Sequence, residues 1–388
     1  MLLPVGLVVC AVLCATVVAY GVHPDLAQFS RGLGIIMFSR RLMWPLVAVS
    51  LLACLAIIGL VISGRNRAWW LLGLAPVLAL FFHRFHPGAP GPSAVLDRPV
   101  FVAADSPLAP ADNAFVVGVI FESQAWAFPF RALFATPVVE VVDYDQRMLL
   151  MWSALANRAT AVRIRRELRA RDLEAVSTPA NSLLIYDRRL GQFICAVTAL
   201  RPGGQSVLGF GATIPTQRMT WAEWRAAHRS TKVMTTPVGD APDRPIRPLY
   251  ALPRAGSTDP LTSIAMIMTS PPLAVRSQSV QRDTINLTIG SLPVVIVRDP
   301  KSGRIRAFDR RLRGDLIPQF TLKPASRRNE PALVDSDSSS TWTFDGAAVA
   351  GSLRGEKMRE LDVEDELYLG VMQYWFPQMQ LLETASAR

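Results

Sequence analysis

Three apolar runs near the start of the chain decide its architecture: Leu2–Tyr20 (LLPVGLVVCAVLCATVVAY), residues 42–64 (LMWPLVAVSLLACLAIIGLVISG) and residues 68–82 (AWWLLGLAPVLALFF). The first two contain no charged residue, and at about 1.5 Å per residue each is long enough as a helix to cross a hydrocarbon core of about 30 Å. No apolar run of similar length follows residue 86. The sequence therefore predicts an α-helical membrane anchor over residues 1–86, with the rest of the chain outside the bilayer.

The third run is the shortest, and its role stays open at this stage. It covers about 22 Å as a straight helix, with Pro76 in its middle. It spans the bilayer if the polar residues beside it reach the interfaces, and otherwise it is a re-entrant or interfacial helix. The first run also has an alternative, a cleaved signal peptide. No basic residue precedes that run and no small-x-small site follows it, which favours a retained helix.

Charge and cysteine content exclude several classes of function. Residues 1–86 hold six arginines and one aspartate, which leaves 35 basic and 30 acidic side chains in the rest of the chain. That is an ordinary surface, and without a nucleic-acid-binding motif we expect no nucleic acid as partner. Cys195 is the one cysteine outside the apolar runs, so it cannot form an intradomain disulfide or a thiolate metal cluster. We interpret it as a buried core residue, and we expect neither a metal ion nor a cofactor.

The sequence after the anchor predicts a β-rich α+β soluble region. We expect a Pro/Gly-rich linker over residues 87–100, a first domain over 101–240 and a second over 241–388. Short runs rich in Val, Ile, Leu and aromatic residues predict strands at 115–121, 138–142, 148–152, 182–186, 292–297 and 332–334.

The soluble region also carries a weak internal repeat. A shift of about 146 to 148 residues places VGVIF (117–121) on AMIMT (265–269) and residues 148–151 on 294–297. The same shift places Asp187 on Asp335. The pattern predicts that the soluble region is built from two tandem, similar halves.

The second half carries the resemblance to a known family. PVVIVRDPKSGRIRAFDRRL (293–312), followed by LVDSDSSSTWTFDGAAVAGSL (333–353), closely resembles the second half of the uncharacterised domain-of-unknown-function family number 3179. In the first half, VVGVIFESQAWAFPFRAL (116–133) is similar to the opening segment of the family. The resemblance covers about residues 95–380. Because relatives often carry export signals, it implies an extracytoplasmic location.

One departure from the family bears on function. The first half of the family usually carries Tyr-Cys-Pro-Leu-Cys-Gly, a spacing suited to redox or metal chemistry. This chain has WSALAN (152–157) there, so Ser153 and Ala156 replace both cysteines. Neither residue can form a disulfide or supply a thiolate. The loss favours a non-catalytic binding or assembly role.

The candidate site consists of polar and aromatic residues of the second half. The catalytic candidates are Asp299, Ser302, Asp335 and Asp345, and the ligand-binding candidates are Thr341, Trp342, Arg304 and Arg306. Carboxylates that converge in one cleft can bind a cation or act as acid and base, so the alternative function is a hydrolase-like or cation-dependent enzyme. The opposing interpretation is structural, because Asp, Ser and Gly are residues that turns need.

Arginines cluster after the motif in both halves: Arg163, Arg165, Arg166, Arg169 and Arg171, then Arg304, Arg306, Arg310, Arg311 and Arg313. Their recurrence is consistent with a grip on anionic lipid headgroups or on an acidic ligand. The alternative is a solvated hairpin face.

Two signals disagree on the orientation of the anchor. The loop between the first two runs holds Arg31, Arg40 and Arg41, whereas the next loop holds only Arg65 and Arg67. The count favours a cytoplasmic soluble region, against the resemblance. We expect an integral membrane protein with an extracytoplasmic soluble region, and the cytoplasmic side stays open. The expected partners are the lipid bilayer and other membrane proteins.

Overall fold

The computed structural model describes residues 2–29, 31–64, 67–86, 95–96, 99–235, 241–250, 252, 258–280, 284–313, 316–323 and 332–382. The chain divides into two units, one of residues 1–155 and 159–252 and one of residues 156–158 and 253–388. The predicted domain boundary at 240/241 falls shortly before this division. Most of the predicted linker, residues 87–94 and 97–98, lies outside the described residues.

The N-terminal part of the first unit is helical. Its α-helices are α1 (Leu2–Tyr20), α2 (Gly32–Arg41), α3 (Met43–Ile62) and α4 (Leu74–Phe85). A 3₁₀ segment, Ala68–Gly73, leads directly into α4 and lengthens it to 18 residues. By length and composition, α1, α3 and the continuous helix Ala68–Phe85 can each cross a membrane. The sequence-based prediction of three apolar helices is therefore confirmed.

Contacts between these helices define which ends lie together. The hydroxyl of Ser50 on α3 donates to the carbonyl of Ala11 on α1 at 2.9 Å. At one end of the bundle, the ring of Tyr20 stacks on that of His83 with centroids 5.2 Å apart. At the same end, Trp44 stacks on Phe85 at 6.3 Å. The chain therefore leaves α4 at the end where α1 and α3 are connected.

The strands between residues 95 and 234 are β1 (Val95–Leu96), β2 (Phe101–Ala103), β3 (Phe115–Phe121), β4 (Gln124–Pro129), β5 (Val138–Asp143), β6 (Gln146–Ser153), β7 (Arg158–Ile164), β8 (Leu173–Ser177), β9 (Leu184–Asp187), β10 (Gln192–Cys195), β11 (Phe210–Ile214), β12 (Thr216–Thr220) and β13 (Lys232–Met234). They form sheets in the orders β1-β5-β6-β7-β11, β12-β3-β4-β13-β2 and β10-β9-β8. Strand β4 pairs with β13 in parallel. Two short helices accompany them, α5 (Phe130–Ala135) and α6 (Trp221–Ala227).

Local sequence explains the hairpin of β3 and β4 and its packing. Glu122 and Ser123 at its tip have φ values of 49° and 66°, as a two-residue hairpin turn requires. A Cβ atom at Gly118 would lie 2.2 Å from the ring of Trp224 on α6, so only glycine fits there. The other side chains of β3 that face inward, such as Val117, belong to the apolar core of the first unit.

The second unit contains β14 (Ser263–Ile267), β15 (Leu273–Arg276), β16 (Ile285–Ile289), β17 (Leu292–Arg298), β18 (Ile305–Asp309), β19 (Phe320–Lys323), β20 (Ala332–Asp335), β21 (Thr341–Trp342), β22 (Ala348–Ala350), β23 (Arg359–Glu360), β24 (Val363–Tyr368), α7 (Leu369–Trp375) and β25 (Gln380–Leu382). Its sheets have the orders β24-β14-β15-β25, β16-β17-β18-β23 and β19-β20-β21-β22. Strand β15 pairs with β25 in parallel.

The pattern of apolar residues predicted these strands well. All six segments assigned from the sequence coincide with or overlap a strand, and 115–121 coincides with β3. In β17 the run Pro293–Val297 is buried on both faces, which explains its continuous rather than alternating apolar sequence. A β-rich region with several sheets is thus confirmed.

Candidate functional site

The first two candidate residues, Asp299 and Ser302, form the turn between β17 and β18. The Ser302 hydroxyl donates to Asp299 Oδ2 at 2.7 Å, and the backbone N–H of Lys301 donates to Oδ1 at 2.9 Å. Gly303 closes the turn with a φ of 72°, a value that favours glycine. Its N–H donates to the Asp299 carbonyl at 2.8 Å. The side chains of Asp299 and Ser302 therefore stabilise an exposed hairpin turn.

Asp335, at the end of β20, is fully buried. Its Oδ1 accepts the backbone N–H groups of Asp337 and Ser338, both at 2.9 Å, and its Oδ2 accepts the Ser338 hydroxyl. Burial alone would raise the pKa of this carboxyl, but the hydrogen bonds from Ser338 and Asp337 outweigh it and hold the pKa below its usual value. The carboxylate thus acts as an internal acceptor for the turn that follows.

Asp345 and Arg306 form a separate, more exposed cluster. Arg306 on β18 donates to the two carboxylate oxygens of Glu360 at 2.7 Å each and also contacts Asp345. No hydrogen bond between described residues joins Asp299 to Asp335, or either of them to Asp345. The four catalytic candidates therefore occupy three hydrogen-bonded groups.

The remaining ligand-binding candidates are strand or turn residues. Trp342 is buried on β21 and packs edge to face on Phe320 with centroids 5.4 Å apart. Thr341 pairs with Val334 in the same sheet. Arg304 follows the 299–303 turn, where its carbonyl accepts the Asp299 N–H at 2.9 Å.

The segment that departs from the family motif is built without reactive groups. Ser153 is buried, and its hydroxyl oxygen accepts the backbone N–H of Leu183 at 3.0 Å. Ala156 is fully buried, and Asn157 has a φ of 49°, where the family carries glycine. Elsewhere in the first unit, burial raises the pKa of the Cys195 thiol and keeps it protonated. Across the described residues, no group of three or more His, Cys, Asp or Glu side chains could hold a metal ion.

The two arginine clusters differ in their contacts. In the second half, Arg306 is paired as described, Arg310 donates to the Pro318 carbonyl at 2.9 Å, and Arg311 pairs with Asp309. In the first half, three exposed arginines, Arg166, Arg169 and Arg171, line a cavity of about 730 Å³. The sequence singled out these arginines but did not indicate the cavity.

The sequence also missed the contact between the helices and the β-sheets of the first unit. Arg40, in the last turn of α2, donates from Nε to Glu174 Oε1 on β8 at 3.0 Å, and its Nη2 contacts Oε2. Ser177 on the same strand donates its hydroxyl to the Val22 carbonyl at 2.7 Å. Arg41 donates to the Gly191 carbonyl at 3.0 Å. The only signal in the sequence was an arginine pair directly before an apolar run.

A comparison with protein families gives one match. The family described as "Protein of unknown function (DUF3179)" matches residues 92–380, more than half of the chain. No curated protein and no solved structure matches the chain. The match includes the 293–312 and 333–353 segments on which the resemblance rests, so the chain belongs to the DUF3179 family.

Proposed function

We propose that this chain is a membrane-anchored protein with a non-catalytic binding or assembly role, and that its β-rich region is extracytoplasmic. The observation that carries the proposal is the contact of Arg40 and Arg41 with β8 and the Gly191 turn. It fastens a β-sheet unit to the connection between two apolar helices. A protein built in this way presents the β-sheets of its first unit at the membrane surface.

The same contact supports three membrane crossings. With three crossings, the connection from α1 to α3 and the chain after α4 emerge on one side of the bilayer. With two, they would emerge on opposite sides, and Arg40 could not pair with Glu174. The stacking of Tyr20 on His83 agrees with three crossings, and the Ser50–Ala11 hydrogen bond supports a retained first helix.

The extracytoplasmic side is supported by family membership and opposed by the arginine count. With three crossings, Arg31, Arg40, Arg41 and Arg84 lie on the side of the β-sheets, and Arg65 and Arg67 lie on the other side. The pair after α3 is dense because its loop is very short, so the count favours the cytoplasmic side by a small margin only. We propose the extracytoplasmic side on family membership.

Two tandem, similar halves are part of this proposal. The sheet order β12-β3-β4-β13 has the counterpart β24-β14-β15-β25, each with a parallel pair at its third and fourth strands. Asp187 corresponds to Asp335, and its Oδ1 accepts the backbone N–H groups of Arg189 and Leu190 at 3.0 and 3.1 Å. The two buried aspartates therefore serve the same kind of turn. Both halves keep an aspartate with a structural role, and the first half lacks the cysteine motif of the family. Both features favour a binding role over a catalytic one.

A second candidate, the enzyme, draws support from one observation, the hydrogen bond between Ser302 and Asp299. An aspartate can activate a serine hydroxyl as a nucleophile only if it takes up the proton. Here the Asp299 carboxylate also accepts the Lys301 N–H in the turn. The pair is better explained as a turn than as a catalytic dyad.

Co-purification from detergent-solubilised membranes, with the anchor intact, distinguishes the two candidates. We expect a partner protein at near-equimolar amounts with the wild type and with the double variant Asp299→Asn, Ser302→Ala. A partner recovered with neither would contradict the binding role. Loss of the partner only in the double variant, with the unfolding temperature unchanged, would place the functional site at the 299–303 turn.

A further inference from the structure

The cavity in the first unit is large enough for a small molecule and has two kinds of wall. Its volume of about 730 Å³ lies in the range typical of ligand sites. Phe101 and Trp126 provide an aromatic wall, with ring centroids 4.6 Å apart. Another part of the lining is cationic and consists of Arg147, Arg166, Arg169 and Arg171.

The cavity keeps a net positive charge. Glu140 is the one carboxylate among the lining residues. It accepts from Arg147 Nε at 2.6 Å and from the backbone N–H of Ala170 at 3.1 Å. This pair neutralises Arg147 and fixes the turn that carries Arg169 and Arg171. Nothing in the described part of the chain pairs with the guanidinium groups of the three exposed arginines, which leaves them available for an anion.

A buried donor also borders the cavity. Trp126 is only 4% exposed, and its indole Nε1 has no hydrogen-bond partner among the described residues. The buried indoles of Trp152 and Trp221 also lack a partner among the described residues, so this property is not specific to the cavity. Trp126 therefore contributes its ring to the lining, and the arginines contribute the donors.

The position of the cavity relates it to the membrane surface. Arg171 precedes Glu174 by three residues, so their Cα atoms are at most about 11 Å apart. Glu174 pairs with Arg40, and Met43, three residues further on, begins α3. Helix α2 exposes Ile35 and Phe38, as a helix at the bilayer interface does. The arginine rim is therefore within reach of the headgroup layer.

We propose that this cavity binds the phosphate group of an anionic phospholipid, with the three arginines on the phosphate and the aromatic wall on the apolar part next to it. The inference rests on the membrane attachment proposed above. A soluble phosphate ester shares the anionic group but lacks the acyl chains and the fixed position at the surface. An experiment can therefore distinguish a phospholipid from a soluble phosphate ester as the ligand.

Full-length protein is reconstituted into nanodiscs of phosphatidylcholine with a minor fraction of phosphatidylglycerol, transferred to neutral detergent, and analysed by native mass spectrometry for retained lipid. The test variant is Arg166→Gln, Arg169→Gln, Arg171→Gln. The control is Arg201→Gln, Arg247→Gln, Arg354→Gln, which removes the same charge from residues that do not line the cavity. Glycerol 1-phosphate is titrated separately to represent a soluble phosphate ester.

The wild type and the control are expected to retain phosphatidylglycerol, and the cavity variant at least about ten times less. Equal retention by the wild type and the cavity variant would overturn the proposal. Binding of glycerol 1-phosphate as tight as that of the lipid would overturn the lipid as the ligand. If cysteine labelling showed no membrane crossing, the membrane attachment would fail, and the glycerol 1-phosphate titration would still report on the anion site.

Discussion

Arg40 and Glu174 form an ion pair that links the last turn of α2 to β8, with Nε donating to Oε1 at 3.0 Å and Nη2 in contact with Oε2. The side chains are only 8% and 18% exposed. The guanidinium group also lies over the Tyr186 ring, 5.0 Å from its centroid. A bidentate, largely desolvated pair between residues 134 positions apart is a specific tertiary contact. It joins the apolar helices to the β-sheets of the first unit.

Removal of one partner of this pair should destabilise the first unit. Glu174→Ala leaves the Arg40 charge buried without its partner, which typically costs about 3–5 kcal/mol for a fully buried pair. Because Glu174 retains some exposure, we expect about 2–3 kcal/mol. Chemical denaturation of the full chain in detergent measures the loss. The exposed Glu167→Ala in the same unit is the control and should change stability by less than about 0.5 kcal/mol.

The double replacement Arg40→Met, Glu174→Met separates the charge effect from packing. It removes both charges and keeps much of the apolar contact, so it should be more stable than Glu174→Ala alone. A double variant as unstable as Glu174→Ala would show that the instability does not come from an unpaired Arg40 charge.

Stability should depend on the ionisation of Asp335. Its pKa is lower in the folded chain than in the unfolded chain, so its contribution is present above the unfolded pKa and is lost as the pH falls through the folded pKa. Asp335→Asn should cost about 1–2 kcal/mol at neutral pH, because the Ser338 hydroxyl loses its acceptor. The difference between wild type and variant should shrink below about pH 4.

Denaturation curves recorded from pH 7 to pH 3 measure this difference. Asp337→Asn, an exposed change in the same turn, is the matched control and should behave as the wild type. A constant difference between wild type and Asp335→Asn across this range would show that the charge of Asp335 has no part in the turn.

Gly118 should not tolerate a side chain. In Gly118→Ala the new Cβ would meet the fully buried Trp224 ring, and overpacking of this kind typically costs about 1–3 kcal/mol. The matched control is Gly34→Ala on α2, where a Cβ would have no atom within 4 Å. The control should be neutral or stabilising, because alanine favours a helix. Equal stability of both variants would contradict the packing of α6 on β3.

The elements of the fold could be predicted because their signals are local. The charge-free sequence of α1 and the strand pattern of β3 contain all that is needed to place them. Part of the candidate site could also be predicted. Asp299, Ser302 and Gly303 are residues typical of a turn, and the structure has a turn there. A catalytic role for these residues would require their side chains to meet those of Asp335 and Asp345 in space, and a sequence alone does not show such contacts.

The parts that could not be predicted depend on residues far apart in the chain. The Arg40–Glu174 pair joins a membrane-proximal helix to a strand beyond residue 170, and neither residue is unusual in its local sequence. The cavity brings Phe101 and Trp126 to a turn that carries Arg169 and Arg171. The arginine repeat pointed to one side of this cavity. Its aromatic side and the buried Glu140–Arg147 pair appear only when the sheets are assembled.

The side of the membrane on which each connection lies can be measured directly by cysteine labelling. Single cysteines are introduced as Gln28→Cys before α2, Ser63→Cys after α3 and Asp145→Cys between β5 and β6, all at exposed positions. The background carries Cys10→Ala, Cys14→Ala, Cys54→Ala and Cys195→Ala. Intact cells are treated with a membrane-impermeant maleimide, and disrupted cells provide the total labelling.

With three crossings and an extracytoplasmic β-rich region, Gln28→Cys and Asp145→Cys should be labelled in intact cells, and Ser63→Cys only after disruption. The reverse pattern for all three would keep the three crossings and overturn the extracytoplasmic location. Labelling of Gln28→Cys and Asp145→Cys from opposite sides would rule out three crossings, because Arg40 and Glu174 could not then meet.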